Sequence, residues 1–140
     1  MSCRTDTGGR TTCWIISASA SQRFERSRVF YTKALAPLSI ALVMEVSAAQ
    51  SGAGAHAGFG KDGKPFFWIG TGARSSGRVH IAFVAPRRFD VEAFYRAAMN
   101  AGGTDHGSPG PRPQYHPSYF GAFVLDPDGN NIEAVCHKPE

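Results

Sequence analysis

Glu133 is the first residue in this sequence that asks for a chemical explanation. It follows Ile132 in the run Asn131-Ile-Glu-Ala-Val135, which otherwise reads as an apolar strand, and an unpaired carboxylate there would be costly. A pocket-facing role as base or ligand is one reading, and a solvent-facing place on an edge strand is the other. His80 lies in Arg78-Val-His-Ile-Ala-Phe-Val84, a strand with alternating faces, where an imidazole could ligate a metal or move a proton. The segment Arg112-Pro-Gln-Tyr-His-Pro-Ser-Tyr119 offers Arg112 for an anionic substrate. It also offers Tyr115, His116 and Tyr119 for substrate contact or for stabilising a turn, since loops carry function disproportionately. Phe59, Phe67 and Trp68 read as core or pocket wall. Cys136 precedes His137, but neighbours on a strand point to opposite faces, so this pair does not make an activated thiol.

These side chains need a scaffold, and the clearest organising signal is an internal repeat. Phe24 to Leu35 contains Phe30-Tyr31, and Phe89 to Met99 contains Phe94-Tyr95, 64 residues further on. Apolar spacings of three and four predict a helix in each. The first would present a stripe of Val29, Phe30, Lys33 and Ala34, and the second Val91, Phe94, Tyr95, Ala98 and Met99. Pro37 limits the first helix and Asn100-Ala-Gly-Gly103 stops the second. A second echo pairs Asp62-Gly63 with Asp128-Gly129, 66 residues apart, each an Asp-Gly turn leading into a short apolar run. Two echoes in one order and at nearly one spacing point to a duplicated domain.

The remaining strands are expected at Cys13 to Ala18, Ile40 to Val46, Ala57 to Gly60, Phe66 to Gly70, Arg78 to Val84, Tyr119 to Leu125 and Ile132 to Cys136. His56 reads as loop, as does the Gly/Pro-rich stretch Gly107 to Pro113. Asp126 to Gly129 reads as turn chemistry without the spacing of a calcium loop.

The residues Glu25-Arg-Ser-Arg-Val-Phe-Tyr31, Val79-His-Ile-Ala-Phe83 and Phe120 to Val135 resemble the vicinal-oxygen-chelate superfamily, whose members include glyoxalases, bleomycin-resistance proteins and extradiol dioxygenases. The resemblance runs from about Phe24 to the end. It implies an α+β fold of two βαβββ modules, about 13–72 and 77–137, forming a curled, cup-like mixed sheet. It also implies a homodimer, and a divalent metal held by His and Glu side chains from the first and last strands of each module. His80 and Glu133 would be the second module's ligands. The repeat spacing carries them onto Ile16 and Phe67, which cannot ligate, so the implied set is half complete where catalytic metal sites keep at least three protein ligands. A metal-free acid/base dyad of His80 and Glu133 is the alternative. Residues 1–23 lack the family's His-bearing strand and Val-x-Asp loop, and read as a divergent or mis-framed start.

The function classes left open are a glyoxalase-like lyase or isomerase of a small oxygenated substrate, a non-catalytic small-molecule-binding protein, and, least supported, an extradiol-type dioxygenase. Phe59, Trp68, Arg112, Tyr115, His116 and Tyr119 are the expected substrate contacts. The charge of +4 is scattered, without the basic stripe of a nucleic-acid binder. No apolar run reaches the roughly 20 residues of a membrane span. Three cysteines without CxxC spacing read as free thiols, and the expected location is the cytoplasm.

Overall fold

The computed structural model describes residues 2–5, 11–18, 21–72 and 79–139, with side chains from Arg23 onward. In chain order the strands are β1 (Ser2–Thr5), β2 (Thr11–Ala18), β3 (Ala41–Val46), β4 (His56–Lys61), β5 (Lys64–Gly72), β6 (His80–Val84), β7 (Thr104–Pro111), β8 (Phe120–Leu125) and β9 (Asn131–Cys136). The helices are α1 (Ser21–Leu35), the single turn α2 (Ala48–Ser51) and α3 (Arg88–Asn100). The strands form two open sheets, ordered β1-β2-β5-β4-β3 and β6-β9-β8-β7. Leaving β1 aside, the two orders are the same, and each contains one parallel pair, β2 with β5 and β6 with β9. A parallel pair needs a crossover, and α1 and α3 lie within those two crossovers.

One layer of side chains holds the halves together. Phe30, Tyr31, Ala34 and Leu35 of α1 and Val91, Phe94 and Ala98 of α3 are fully buried. They meet Phe59, Phe67 and Ile69 of the first sheet and Phe83, Val124, Ile132 and Ala134 of the second in one core cluster. Phe67 joins the halves directly, with its ring 4.9 Å from Tyr31 and 5.3 Å, edge to face, from Phe83. The buried stripe of α1 differs from the expected one. Val29 is 41% exposed and Lys33 is exposed, while Phe24, Ser27, Tyr31 and Leu35 are buried. The stripe turns because the first sheet and α3 flank α1 on two sides, so adjacent Phe30 and Tyr31 both find partners.

Both Asp-Gly turns close hairpins, by different means. Asp62 and Gly63 each take positive φ, 51° and 70°, the two-residue geometry that suits strand twist. Between β8 and β9, Asp126 Oδ1 accepts from the amides of Asp128 and Asn130, an Asx-type turn. Asp126 Oδ2 accepts from Asn130 Nδ2 at 2.9 Å and from the Tyr31 hydroxyl at 2.5 Å. A helix of the first half therefore reaches into the turn that leads into β9.

Burial, with the Asp126 charge beside it, raises the Tyr31 phenol well above its ordinary value of 10.0. A phenol raised in the folded state stabilises fully below the unfolded value and loses that contribution as pH rises above it. Stability should therefore fall above about pH 10, and Tyr31→Phe should flatten this alkaline limb in denaturant titrations. An unchanged limb in the variant would refute the assignment.

Two further expectations are corrected. The stretch Gly107 to Pro113, expected as loop, lies largely within β7, with register shifts between Asp105 and Gly107 and between Gly107 and Gly110. Gly and Pro disguised it, but β7 is an edge strand, where both are tolerated. His56 begins β4 rather than lying in a loop, and its ring occupies the space where a Cβ on Gly70 would sit, 2.5 Å from Cδ2.

Candidate functional site

Strand alternation decides which face each candidate occupies. On β9, Ile132, Ala134 and Cys136 point into the helix layer, which puts Glu133 on the opposite face. On β6, Ile81 and Phe83 point inward, so His80 shares the Glu133 face. Ala82 is the Cα partner of Glu133 and His80 that of Asn131. The two side chains therefore meet diagonally across a parallel pair, His80 Nε2 lying 2.9 Å from Glu133 Oε2. The imidazole is 53% exposed while the carboxylate is 2% exposed, so Glu133 forms the floor and His80 the accessible edge.

The second carboxylate oxygen accepts from the Tyr119 hydroxyl. Burial first, and then this bond to Glu133, raise the Tyr119 phenol above its ordinary value, so it stays protonated and donating through the neutral range. Around the pair lies an open cleft of about 370 Å³, lined by His80, Tyr115, His116, Tyr119, Phe123 and Glu133. Five of these six residues carry rings. Tyr115 and Tyr119 lie 4.9 Å apart, and His80 lies 6.2 Å from Phe123.

Other sequence candidates sit elsewhere. Phe59 is fully buried in the helix layer between Tyr31 and Phe67. Trp68 is on the far face of β5, over Gly58, whose missing Cβ leaves room for the indole. Arg112 packs its guanidinium 5.7 Å from the Phe123 ring and donates to the carbonyls of Ser108 and Pro111, which ties it to the end of β7. Cys136 is buried in the core. Sequence reasoning missed Phe123, which lines the cleft, and His137, whose Nδ1 lies 2.8 Å from Nε2 of the cleft-lining His116. Phe123 shares the face of Glu133, its partner across β8 and β9, and period-2 alternation along β8 could have flagged it.

The register also adjusts the repeat argument. Phe67 faces the helix layer, so the first sheet's counterpart of Glu133 is a neighbour on the other face, such as Trp68. Trp68 pairs with Trp14, and the residue two before it, matching His80 before Ala82, is Thr12. No counterpart supplies an imidazole or a carboxylate. Among the described residues, no three His, Cys, Asp or Glu side chains converge as a metal-ligand group. One imidazole and one carboxylate, with the second oxygen engaged by Tyr119, do not fit the three-ligand cage of a catalytic divalent ion.

No helix among the described residues is long and apolar enough to cross a membrane. No curated protein matches the chain. Among solved structures, a glyoxalase/bleomycin resistance protein from Albidiferax ferrireducens T118 is 23% identical, with a TM-score of 0.63 over 90% of this chain and 97% of that one. A glyoxalase/bleomycin resistance protein/dioxygenase family enzyme from Burkholderia phytofirmans PsJN is 16% identical, with a TM-score of 0.62 over 89% and 97%. Glyoxalase I from Zea mays is 21% identical, with a TM-score of 0.62 over 89% of this chain but only 45% of the maize enzyme. At such identities these likenesses speak for the fold alone. The family model described as Glyoxalase/Bleomycin resistance protein/Dioxygenase superfamily matches residues 18–134, and the chain belongs to that superfamily.

Proposed function

We propose that this protein is a glyoxalase-like lyase or isomerase that moves a proton on a small oxygenated substrate, with Glu133 as base and His80 as proton donor. The observation that supports it is the contact of an exposed imidazole with a buried carboxylate at the floor of a ring-lined cleft. Nε2 of His80 donates to Glu133 at rest. A bound substrate would offer its carbonyl oxygen to that N–H and its adjacent C–H to Glu133. Glu133 takes the carbon-bound proton, His80 gives its proton to the oxygen, and an enediol results; return of the protons to exchanged positions completes an isomerisation. A positioned acid or base of this kind contributes about 10²–10⁴-fold. The donor set does not fit a divalent ion, so the dyad carries both proton transfers itself.

A second reading has its own support. Five ring-bearing residues line the cleft, and both oxygens of Glu133 already have protein partners, as in a site that only binds. Proton exchange at the carbon next to the carbonyl, followed by NMR in deuterated water over a panel of small α-hydroxycarbonyl compounds, separates the two. The enzyme reading expects exchange that falls about 10²-fold or more in His80→Ala. Ligand binding without exchange, unchanged in that variant, would leave a binding protein. Metal analysis of protein purified without chelator adds a check, since stoichiometric metal lost in His80→Ala would replace the dyad with a metal site. A homodimer, as the superfamily resemblance implies, is checked by light scattering.

A further inference from the structure

We infer that His116 and His137 form a tautomer-locked imidazole pair that positions Tyr119 and, through its hydroxyl, the Glu133 carboxylate. This rests on the reading of His80 and Glu133 as the working centre, and it gives the pair a bracing role instead of one as base or ligand.

The hydrogen-bond chain has only one possible direction. The Ser118 amide can only donate, and it does so to His116 Nδ1 at 3.1 Å. His116 therefore carries its proton on Nε2, which donates to His137 Nδ1 at 2.8 Å. His137 in turn keeps its proton on Nε2. Both ring nitrogens of His116 are thus committed within the protein. Each imidazole would have to give up a bond to accept another proton or to ligate at these atoms.

The pair stands against Tyr119. The two imidazole rings lie edge to edge, their centroids 5.1 Å apart and their planes at 29°, as the hydrogen bond between them requires. The Tyr119 ring meets His116 edge-on at 5.2 Å and His137 edge-on at 5.4 Å. Tyr115 packs against Tyr119 at 4.9 Å. The Tyr119 amide donates to the His116 carbonyl, and its carbonyl accepts from the Arg112 amide. His137 follows β9 by one residue, so the segment ending that strand supplies both the carboxylate that receives the Tyr119 hydrogen and the imidazole that braces the Tyr119 ring. The contact between positions 116 and 137 spans the cleft wall without joining the core: His137 is exposed, so its loss should leave the fold standing.

The test is ring-labelled tyrosine NMR on the full chain without substrate, with Tyr119 assigned from its absence in Tyr119→Phe. His137→Asn keeps an acceptor oxygen near the Nδ1 position, and His137→Leu keeps bulk without an acceptor. Wild type and His137→Asn should show one set of sharp Tyr119 signals and alkaline titration above the ordinary value of 10.0. In His137→Leu the signals should broaden and the titration should fall toward that value, with an unchanged melting temperature. Where exchange is measurable, its kcat should fall by up to about 10²-fold with KM unchanged, as misplacement of a reacting group predicts. Unchanged Tyr119 signals and titration in His137→Leu would overturn the inference. The spectroscopic readout needs no substrate. If it succeeds while His80→Ala leaves exchange untouched, the dyad reading falls and the brace stands.

Discussion

Asp126→Ala is expected to lower the unfolding free energy by about 3 kcal/mol. Asp126 is 5% exposed and accepts from the Tyr31 hydroxyl, the Asn130 side-chain amide and two backbone amides. Truncation strands these donors, and each buried group left unsatisfied costs about 1–3 kcal/mol. Water entering the space recovers part of that, which keeps the sum near the upper end of a single loss. Against a total of about 5–15 kcal/mol for a domain, the variant would be marginal. Urea denaturation with a common slope measures it, and a loss under about 1 kcal/mol would mean that the turn holds itself without Tyr31. The consequence reaches the cleft, because this turn sets the start of β9 and so the height of Glu133.

Glu133→Gln should leave the fold intact and reduce proton exchange about 10³-fold, within the range for loss of a positioned base. Glutamine preserves the shape and can still accept from Tyr119, so far-UV circular dichroism and the melting curve should change little. What disappears is the charge that draws the substrate proton. Retained exchange in this variant would move the base elsewhere, while lost exchange accompanied by lost structure would call for Glu133→Asp as the comparison. Tyr119→Phe differs in kind: it removes one donor to the carboxylate and leaves its charge, so its effect on exchange should be smaller than that of Glu133→Gln.

The order of α1, α3 and the strands other than β1 and β7 was legible in the sequence because the apolar periods are strong and occur twice. The Phe30-Tyr31 and Phe94-Tyr95 echoes mark α1 and α3, and the two Asp-Gly turns mark hairpins at their observed places. The family could be recognised from the same residues, above all from Phe120 to Val135. The edge strand β7 was not legible, since Gly107, Pro109 and Gly110 imitate a loop when their edge position is unknown.

Residue types nominated Glu133, Tyr115, His116 and Tyr119, because a carboxylate in an apolar strand and rings in a Pro-rich loop are unusual placements, while His80 was nominated by its place in the family-like motif Val79-His-Ile-Ala-Phe83. Whether they met was decided by register. The pairing of Ala82 with Glu133 puts the imidazole of residue 80 over the carboxylate of residue 133, and a slip of one residue would have sent one of them into the helix layer. Phe59 and Trp68 show the same limit from the other side: both are large aromatics on neighbouring strands, and strand parity sends one into the core and the other to the far face of β5. The role of His137 came from tertiary structure entirely. Its partner lies 21 residues away, and nothing local in a sequence reports which imidazole nitrogen will face another.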